Sequence, residues 1–284
     1  MKRFFILFLA LFIISLEAMS QATFLSISSS NWNDGGTWLK QSGTDEDNIP
    51  DANDTVRLAL IQNDVATIDA NYSASCARLE IGSPLTSTSG TLQFQNATSS
   101  LTVGTIVIYQ STSVANRELN LGSGAMTITQ NATLEAPDNS SNKKTIISIS
   151  TGNLSVNGDI NFNSTNGSNA VLDMTSGSGR LNIGGSFVFT TDGTITTAGM
   201  GSVINFNGTN AQIIPFNIAG LVYENIYVNN THVNGAVLND NITPSNVTGE
   251  IRVQSGKLRT GNFTIAGTAG QTFQVDSGAT IVVG

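Results

Sequence analysis

The feature that most constrains the fold is a repeat of short strand-like segments with a period near 26 residues. The lead segments start at Leu101, Met126, Leu154 and Leu181, so the spacings are 25, 28 and 27 residues. Within each unit apolar and polar residues alternate, and Gly, Asn, Ser or Asp interrupt the alternation. Alternation with period two predicts half-buried β-strands. A fixed period of this length indicates a stack of similar units.

A single unit of this size cannot stand alone, because ordering its backbone costs more than its few apolar side chains return. About three short strands per unit favour a right-handed parallel β-helix with coils of about 22–28 residues, because the left-handed hexapeptide type needs a stricter six-residue rhythm. The alternative is a set of tandem β-sandwiches, since Asn-Gly pairs, which signal hairpins, begin at Asn157, Asn166, Asn207 and Asn234. Both alternatives place the chain in the all-β class.

Composition narrows the possible functions. The 284 residues include 12 basic and 20 acidic side chains, for a net charge of −8. The chain has no basic stripe to meet phosphates, which argues against nucleic acid as a partner. One histidine and one cysteine exclude a Cys/His metal cluster and most histidine-based triads. We expect His232 on a surface loop, and Cys76 as a small buried hydrophobe on a strand.

The first twenty residues have the layout of a secretory signal peptide. Lys2 and Arg3 precede the apolar run 4–16, and small residues occupy positions −3 and −1 of a cleavage site before Gln21. The run is shorter than the roughly 20 residues of a comfortable membrane span. We therefore expect a secreted or cell-surface protein that is not inserted in a membrane after cleavage.

The mature chain divides into two predicted regions. Residues 21–70 are expected to form an N-terminal cap and the first coils, and residues 71–284 the β-solenoid. The segment 278–284 reads as a strand and a corner without a polar cap, although an end coil needs one. This predicts that the solenoid is truncated at its C-terminal end, and that its last coil stacks on a further domain or another molecule.

Several motifs spread over most of the mature chain carry a family resemblance. They are a Trp-rich start at 31–38, a Pro…Asp-x-Val strand at 50–56, a Cys-x-x-Leu-x-Ile strand at 76–81, and repeated coils with Gly and Asn corners. Together they resemble secreted bacterial parallel β-helix adhesin-like surface proteins. The resemblance implies a surface or secreted protein, often exported with a C-terminal sorting domain, which this sequence does not contain.

These observations predict a non-catalytic adhesin-like module that presents a repetitive face to glycans or cell-surface components through many weak contacts. One alternative is a polysaccharide lyase or hydrolase of the β-helix type. Arg252, Lys257 and Arg259, with Asp240 upstream, supply basic groups and a carboxylate for that chemistry. The other acids are scattered, at most one to a coil, which favours spaced surface charges instead.

A further alternative is an ice-binding protein, because a flat ladder of threonines orders water. It is suggested by the Thr-x-Thr rows at 127–129 and 194–196, although the rows are irregular. Absence of thermal hysteresis in the purified protein would rule it out.

Two groups of residues are candidate binding sites. The acidic loop that carries Asp45, Asp47, Asp51 and Asp54 offers hard oxygen ligands for Ca²⁺, or else is a solvated loop of turn-forming residues. A melting temperature unchanged by millimolar calcium would count against the metal. No other cofactor is predicted.

Trp32 and Trp38 are the second group. They either stack on sugar rings, as exposed aromatic residues do, or plug the open end of the solenoid. The plug is favoured, because the core of a first coil would otherwise be wet.

Overall fold

The computed structural model describes residues 21–59, 64–84, 88–111, 116–137, 143–165, 169–190, 193–196, 201–218 and 221–284. Within these ranges the chain is all-β, with 25 strands and a single short 3-10 helix at Gly35–Thr37. The predicted signal peptide, residues 1–20, lies outside the described residues, so it stays a prediction of the sequence.

The strands are short and follow one another along the whole described chain. The first thirteen are β1 (Thr23–Ser26), β2 (Trp38–Ser42), β3 (Thr55–Leu58), β4 (Asp64–Ile68), β5 (Ser73–Ile81), β6 (Gly90–Phe94), β7 (Ser100–Tyr109), β8 (Arg117–Asn120), β9 (Ala125–Ile128), β10 (Ala132–Ala136), β11 (Thr145–Ser148), β12 (Asn153–Val156) and β13 (Ile160–Ser164). The remaining twelve are β14 (Ala170–Asp173), β15 (Arg180–Ile183), β16 (Phe187–Phe189), β17 (Thr194–Thr196), β18 (Val203–Phe206), β19 (Gln212–Ile214), β20 (Asn225–Val228), β21 (Ala236–Leu238), β22 (Glu250–Val253), β23 (Lys257–Gly261), β24 (Thr272–Val275) and β25 (Thr280–Val283).

Strand pairing identifies the architecture. Among the described strands, β1 and β2 form the one antiparallel pair, and the other named pairs are parallel. The parallel sheets are stacked as a β-solenoid of about eight turns. The predicted parallel β-solenoid is therefore confirmed, and the β-sandwich alternative is wrong because sandwiches are built from antiparallel hairpins. The right-handed winding of the coils stays a prediction.

Three sheets make up the faces of the solenoid, with 15, 6 and 4 strands. The long strands β5 and β7 each cover two faces, because the first half of β7 pairs with β9 and its second half pairs with β10. The bend in β7 falls at Gly104, where a Cβ atom would stand 2.2 Å from the carbonyl oxygen of Ala77. Only glycine permits so close an approach between coils.

Inward-facing side chains form columns along the solenoid axis. Leu101, Met126, Leu154 and Leu181, the residues that define the sequence repeat, are in register on neighbouring strands. Each is at most 2% exposed. The repeat is thus the signature of one column of the core, in which every coil buries the apolar surface of the next.

Trp32 and Trp38 close the N-terminal end of this core. The rings meet edge to face with centroids 5.1 Å apart, and the Trp38 Nε1–H donates to the backbone oxygen of Trp32 at 2.7 Å. Trp32 is fully buried and Trp38 is 4% exposed. Neither ring is available to stack on a sugar, which corrects the carbohydrate role considered for these two residues. Their packing is that of the plug, which is the favoured expectation for these two residues.

Asp64 is a buried carboxylate at the start of β4. The Ser26 hydroxyl donates to its Oδ2 atom, and its Oδ1 atom has no hydrogen-bond partner within the described residues. Burial is the main cause that raises the pKa of Asp64 above its ordinary value. A group with a raised folded-state pKa contributes stability below its unfolded pKa and loses that contribution as the pH rises through the folded pKa.

We therefore expect Asp64→Asn to increase the free energy of unfolding at pH 7 by about 1–3 kcal/mol, because it removes a buried charge with an unpaired oxygen. The gain should shrink as the pH is lowered towards 3, where Asp64 is protonated in both states. Urea unfolding of wild type and variant from pH 3 to 7 measures this difference. Asp240→Asn is the control, since the Asp240 carboxylate bonds locally to the backbone nitrogen of Asn241. A gain independent of pH would contradict the argument.

Candidate functional site

A row of amide side chains crosses the outward face of the 15-stranded sheet. Asn182 donates to Asn153 at 2.9 Å, and Asn205 donates to Asn182 at 2.9 Å. Asn229 donates to both Asn205 and Gln254 at 2.7 Å. We call these five residues the amide ladder. Asn182 and Asn205 are in register on neighbouring strands, at the spacing of about 4.8 Å that lets amide side chains bond to one another. Asn153 and Asn229 lie two residues to either side of that row, so the ladder runs diagonally across the strands.

Tyr227 lies in the same row as the ladder. It is in register with Asn205 on one side and with Arg252 on the other. Its hydroxyl donates to Oε2 of Glu250 at 3.0 Å, and the guanidinium carbon of Arg180 is 5.4 Å from the centre of its ring. The ring is half-buried, and these neighbours hold it in place.

Charged groups around the ring are paired on the surface. Arg252 binds Asp276, with its Nη2 atom 3.0 Å from Oδ2 and its Nε atom 3.2 Å from Oδ1. The hydrogen bond from Arg252 is the main cause that lowers the pKa of Asp276. Burial is the main cause that raises the pKa of Tyr227, and its bond to Glu250 adds to the effect. We use the name Tyr227 surface for Arg180, Asn182, Asn205, Tyr227, Glu250 and Arg252.

The basic cluster predicted from the sequence is divided between two sheets. Arg252 lies on β22 of the 15-stranded sheet, whereas Lys257 and Arg259 lie on β23 of the 4-stranded sheet. Lys257 donates to the backbone oxygen of Val233 at 2.8 Å. The carboxylate partner of Arg252 is Asp276, not Asp240. Arg252, Lys257, Arg259 and Asp240 therefore do not form the cluster of basic groups around one carboxylate on which the polysaccharide lyase alternative depends.

The other acids of the coils have local or structural contacts. Asp159 accepts a bond from the backbone nitrogen of Ser186, and Asp173 accepts bonds from Thr175. Asp192 lies outside the described residues. The sequence reasoning missed Tyr227 and Glu250. The signal that could have indicated Tyr227 is its register with Arg252 in one outward row, which requires the alignment of successive coils.

Three of the four calcium candidates come together. One carboxylate oxygen from each of Asp45, Asp51 and Asp54 lies within 4.8 Å of the others, and Asp47 is not in the group. These carboxylates already accept backbone bonds, for example from Ala22 to Asp54 at 2.8 Å and from Asp51 to Asp54 at 2.8 Å. Burial is the main cause that raises the pKa of Asp54. The contacts are those of turn-forming aspartates, and calcium binding stays a prediction of the sequence.

Cys76 and His232 are placed as the sequence led us to expect. Cys76 is 2% exposed, and burial raises the pKa of its thiol well above the ordinary value, so the reactive thiolate is disfavoured. His232 is half-exposed on a loop, where its Nδ1 atom accepts a bond from the backbone nitrogen of Asn234 at 3.1 Å.

The threonine rows do not continue from coil to coil. Thr127 is paired with Thr102 on β7 and with Ser155 on β12, and Thr194 is paired with Val171 on β14. An extended flat array of Thr-x-Thr motifs is therefore not formed by the neighbouring strands that the structure describes.

The C-terminal end of the solenoid has an apolar hollow of about 580 Å³ between the last coils. Phe273 is 45% exposed and Val283 is 76% exposed at this end. The predicted stacking of another domain or molecule on the last coil stays a prediction.

Comparison with protein-family models, with curated proteins and with solved structures finds no match to the chain. None of the helical structure in the described part of the chain is long and apolar enough to cross a membrane. The fold and the site together define the class of protein. It is a parallel β-solenoid that carries an aromatic side chain within a polar outward face.

Proposed function

We propose that this chain is a non-catalytic, adhesin-like module of the cell surface or the secreted fraction, and that it binds glycans on the Tyr227 surface. The observation that carries the proposal is a half-buried tyrosine ring held by charged neighbours beside a hydrogen-bonded row of amides. A secreted or surface location follows from the signal peptide predicted in the sequence.

The chemistry of the surface suits a sugar chain. A tyrosine ring offers an apolar face to the C–H side of a sugar, while its hydroxyl stays bonded to Glu250. The partly exposed side chain of Arg252 offers guanidinium donors to sugar hydroxyls, whereas the buried amide of Asn205 is bonded within the amide ladder. Because the sheet repeats along its axis, a long glycan meets successive coils, and weak contacts multiply.

The pKa shifts of Tyr227 and of Asp276, the carboxylate partner of Arg252, favour binding over catalysis. The raised pKa of Tyr227 keeps its phenol neutral at physiological pH, so the phenol is a poor general base. The lowered pKa of Asp276 keeps that carboxylate ionised, so it is a poor proton donor to a leaving group. Neither shift is the one that an acid–base pair for polysaccharide cleavage needs.

We expect Tyr227→Ala to weaken binding to the best glycan of a polysaccharide panel by about tenfold, because it removes the stacking ring. Isothermal titration calorimetry on that glycan measures the loss. Tyr227→Phe keeps the ring and should retain most of the affinity. Gln93→Ala, at an exposed position of β6 on the 6-stranded sheet, is the control.

Two results would contradict the proposal. One is full affinity in Tyr227→Ala with an intact fold. The other is the release of new reducing or unsaturated ends from the panel, which would indicate an enzyme.

A further inference from the structure

A second charged group lies near the N-terminal end of the 15-stranded sheet, on the branch that follows the second half of β7 into β10, whereas the Tyr227 surface lies on the branch through β9. Arg57 and Arg78 share one carboxylate, because the Nε atom of Arg57 is 2.6 Å from Oε2 of Glu80 and the Nε atom of Arg78 is 2.7 Å from Oε1. The side chain of Glu80 is 11% exposed, whereas each arginine side chain is 41% exposed. The carboxylate is thus enclosed, whereas the two arginine side chains are partly exposed to solvent.

Strand register explains this arrangement. Arg57 on β3 is directly opposite Glu80 on β5, and Arg78 lies two residues before Glu80 on the same outward face. The long strand β5 therefore presents Arg78 and Glu80 together, and the neighbouring coil supplies Arg57. Arg78 also interacts with Tyr109, through electrostatic attraction and a side-chain hydrogen bond, and this interaction is weaker than the one with Glu80.

The charge of the group is unusual for this molecule. One carboxylate balances only one of the two guanidinium groups, which leaves a local charge of about +1 on a protein of net charge −8. A guanidinium has five N–H donors, and in the contacts with Glu80 each arginine uses its Nε–H. The Nη groups are the parts of these side chains that suit a second oxyanion, because arginine binds carboxylate, sulfate and phosphate through paired donors.

We propose that Arg57 and Arg78 form a binding site for an oxyanion carried by a polysaccharide, to which they present their Nη groups while Glu80 accepts from both Nε groups. The ligand is an acidic sugar bearing a carboxylate or a sulfate group. This site is separate from the Tyr227 surface, but the choice of a polysaccharide as the carrier rests on the glycan-binding function proposed above. It would give the solenoid a second point of attachment on the other branch of the 15-stranded sheet.

A purely structural ion cluster makes a different prediction about Glu80. If the cluster only stabilises the coil, replacing any of the three residues weakens the fold and gives no gain in binding. If the arginines bind an anion through their Nη groups, the negative charge of Glu80 repels that anion. Removing the Glu80 charge then strengthens binding.

The test uses the full chain and three probes at low ionic strength. The probes are a galacturonate oligosaccharide of defined length, its carboxyl-reduced neutral counterpart, and a heparin-derived sulfated oligosaccharide. We expect Arg57→Gln and Arg78→Gln each to weaken binding of an acidic probe about threefold or more, and Glu80→Gln to strengthen it by a similar factor. Binding should fall when salt rises from 50 to 500 mM.

The controls separate this site from general charge and from the Tyr227 surface. Each variant is also made in a Tyr227→Ala background, which removes binding at the Tyr227 surface, and Lys257→Gln removes a positive charge elsewhere and should leave binding unchanged. Comparison of the galacturonate and sulfated probes identifies whether the site binds a carboxylate or a sulfate group. Failure of wild type to bind either acidic probe, equal binding of the neutral probe, or weakened binding in Glu80→Gln with an intact fold would overturn the proposal. Should Glu80→Gln not fold, the Arg57→Gln and Arg78→Gln variants and the salt titration decide the outcome.

Discussion

Replacing Arg117 with methionine is expected to lower the free energy of unfolding by about 3–5 kcal/mol, because it strands several buried backbone oxygens. Arg117 begins β8 and is fully buried. Its guanidinium donates to four carbonyl oxygens, at 2.8 Å to Thr88, 3.0 Å to Ser83, 2.9 Å to Tyr109 and 3.0 Å to Gln110. One side chain thereby links backbone segments that are far apart in sequence.

The surroundings of Arg117 leave little room for relaxation. A Cβ atom at Gly82 would stand 2.3 Å from the guanidinium, and Gly82 has a φ of 82°, a conformation that favours glycine. Burial lowers the pKa of Arg117 to about 10, so the group still carries its charge at neutral pH. Methionine fills a similar volume without offering a donor, which isolates the hydrogen bonds as the cause of the loss.

Urea unfolding followed by circular dichroism measures this effect. The matched control is Arg180→Met, which removes an arginine from the solvent-facing row and should change stability by about 0.5 kcal/mol or less. Arg117→Lys keeps the charge but not the forked donors, and should recover only part of the loss. A stable Arg117→Met protein would show that water satisfies these carbonyl groups.

The fold was predictable because its cause is local and repeated. Leu101, Met126 and Leu154 recur at nearly constant spacing, since each occupies the same position in the core column. The plug formed by Trp32 and Trp38 was predictable as well, because the first coil of a solenoid has a core face that must be covered.

The candidate sites depend on register between coils, which the sequence alone does not supply. The partners Tyr227 and Glu250 are 23 residues apart, as are Arg57 and Glu80. Coil lengths vary around the mean, so a small error in register moves a side chain to the wrong row or the wrong face. Arg117 was missed for the same reason, since two of its acceptors are 29 and 34 residues away.

Replacing Trp32 with alanine is the second change with a large expected effect, a loss of about 3–5 kcal/mol in the free energy of unfolding. The ring is fully buried against Trp38, and its Nε1–H points to the backbone oxygen of Pro50 at 3.5 Å. Removing it opens a cavity at the end of the core, where water gains access to the first column. Thermal and urea unfolding measure the loss. Leu39→Ala, at a position on β2 that is 49% exposed, is the control and should cost under about 1 kcal/mol. Wild-type stability in Trp32→Ala would show that the antiparallel strand β2 closes the solenoid without the ring.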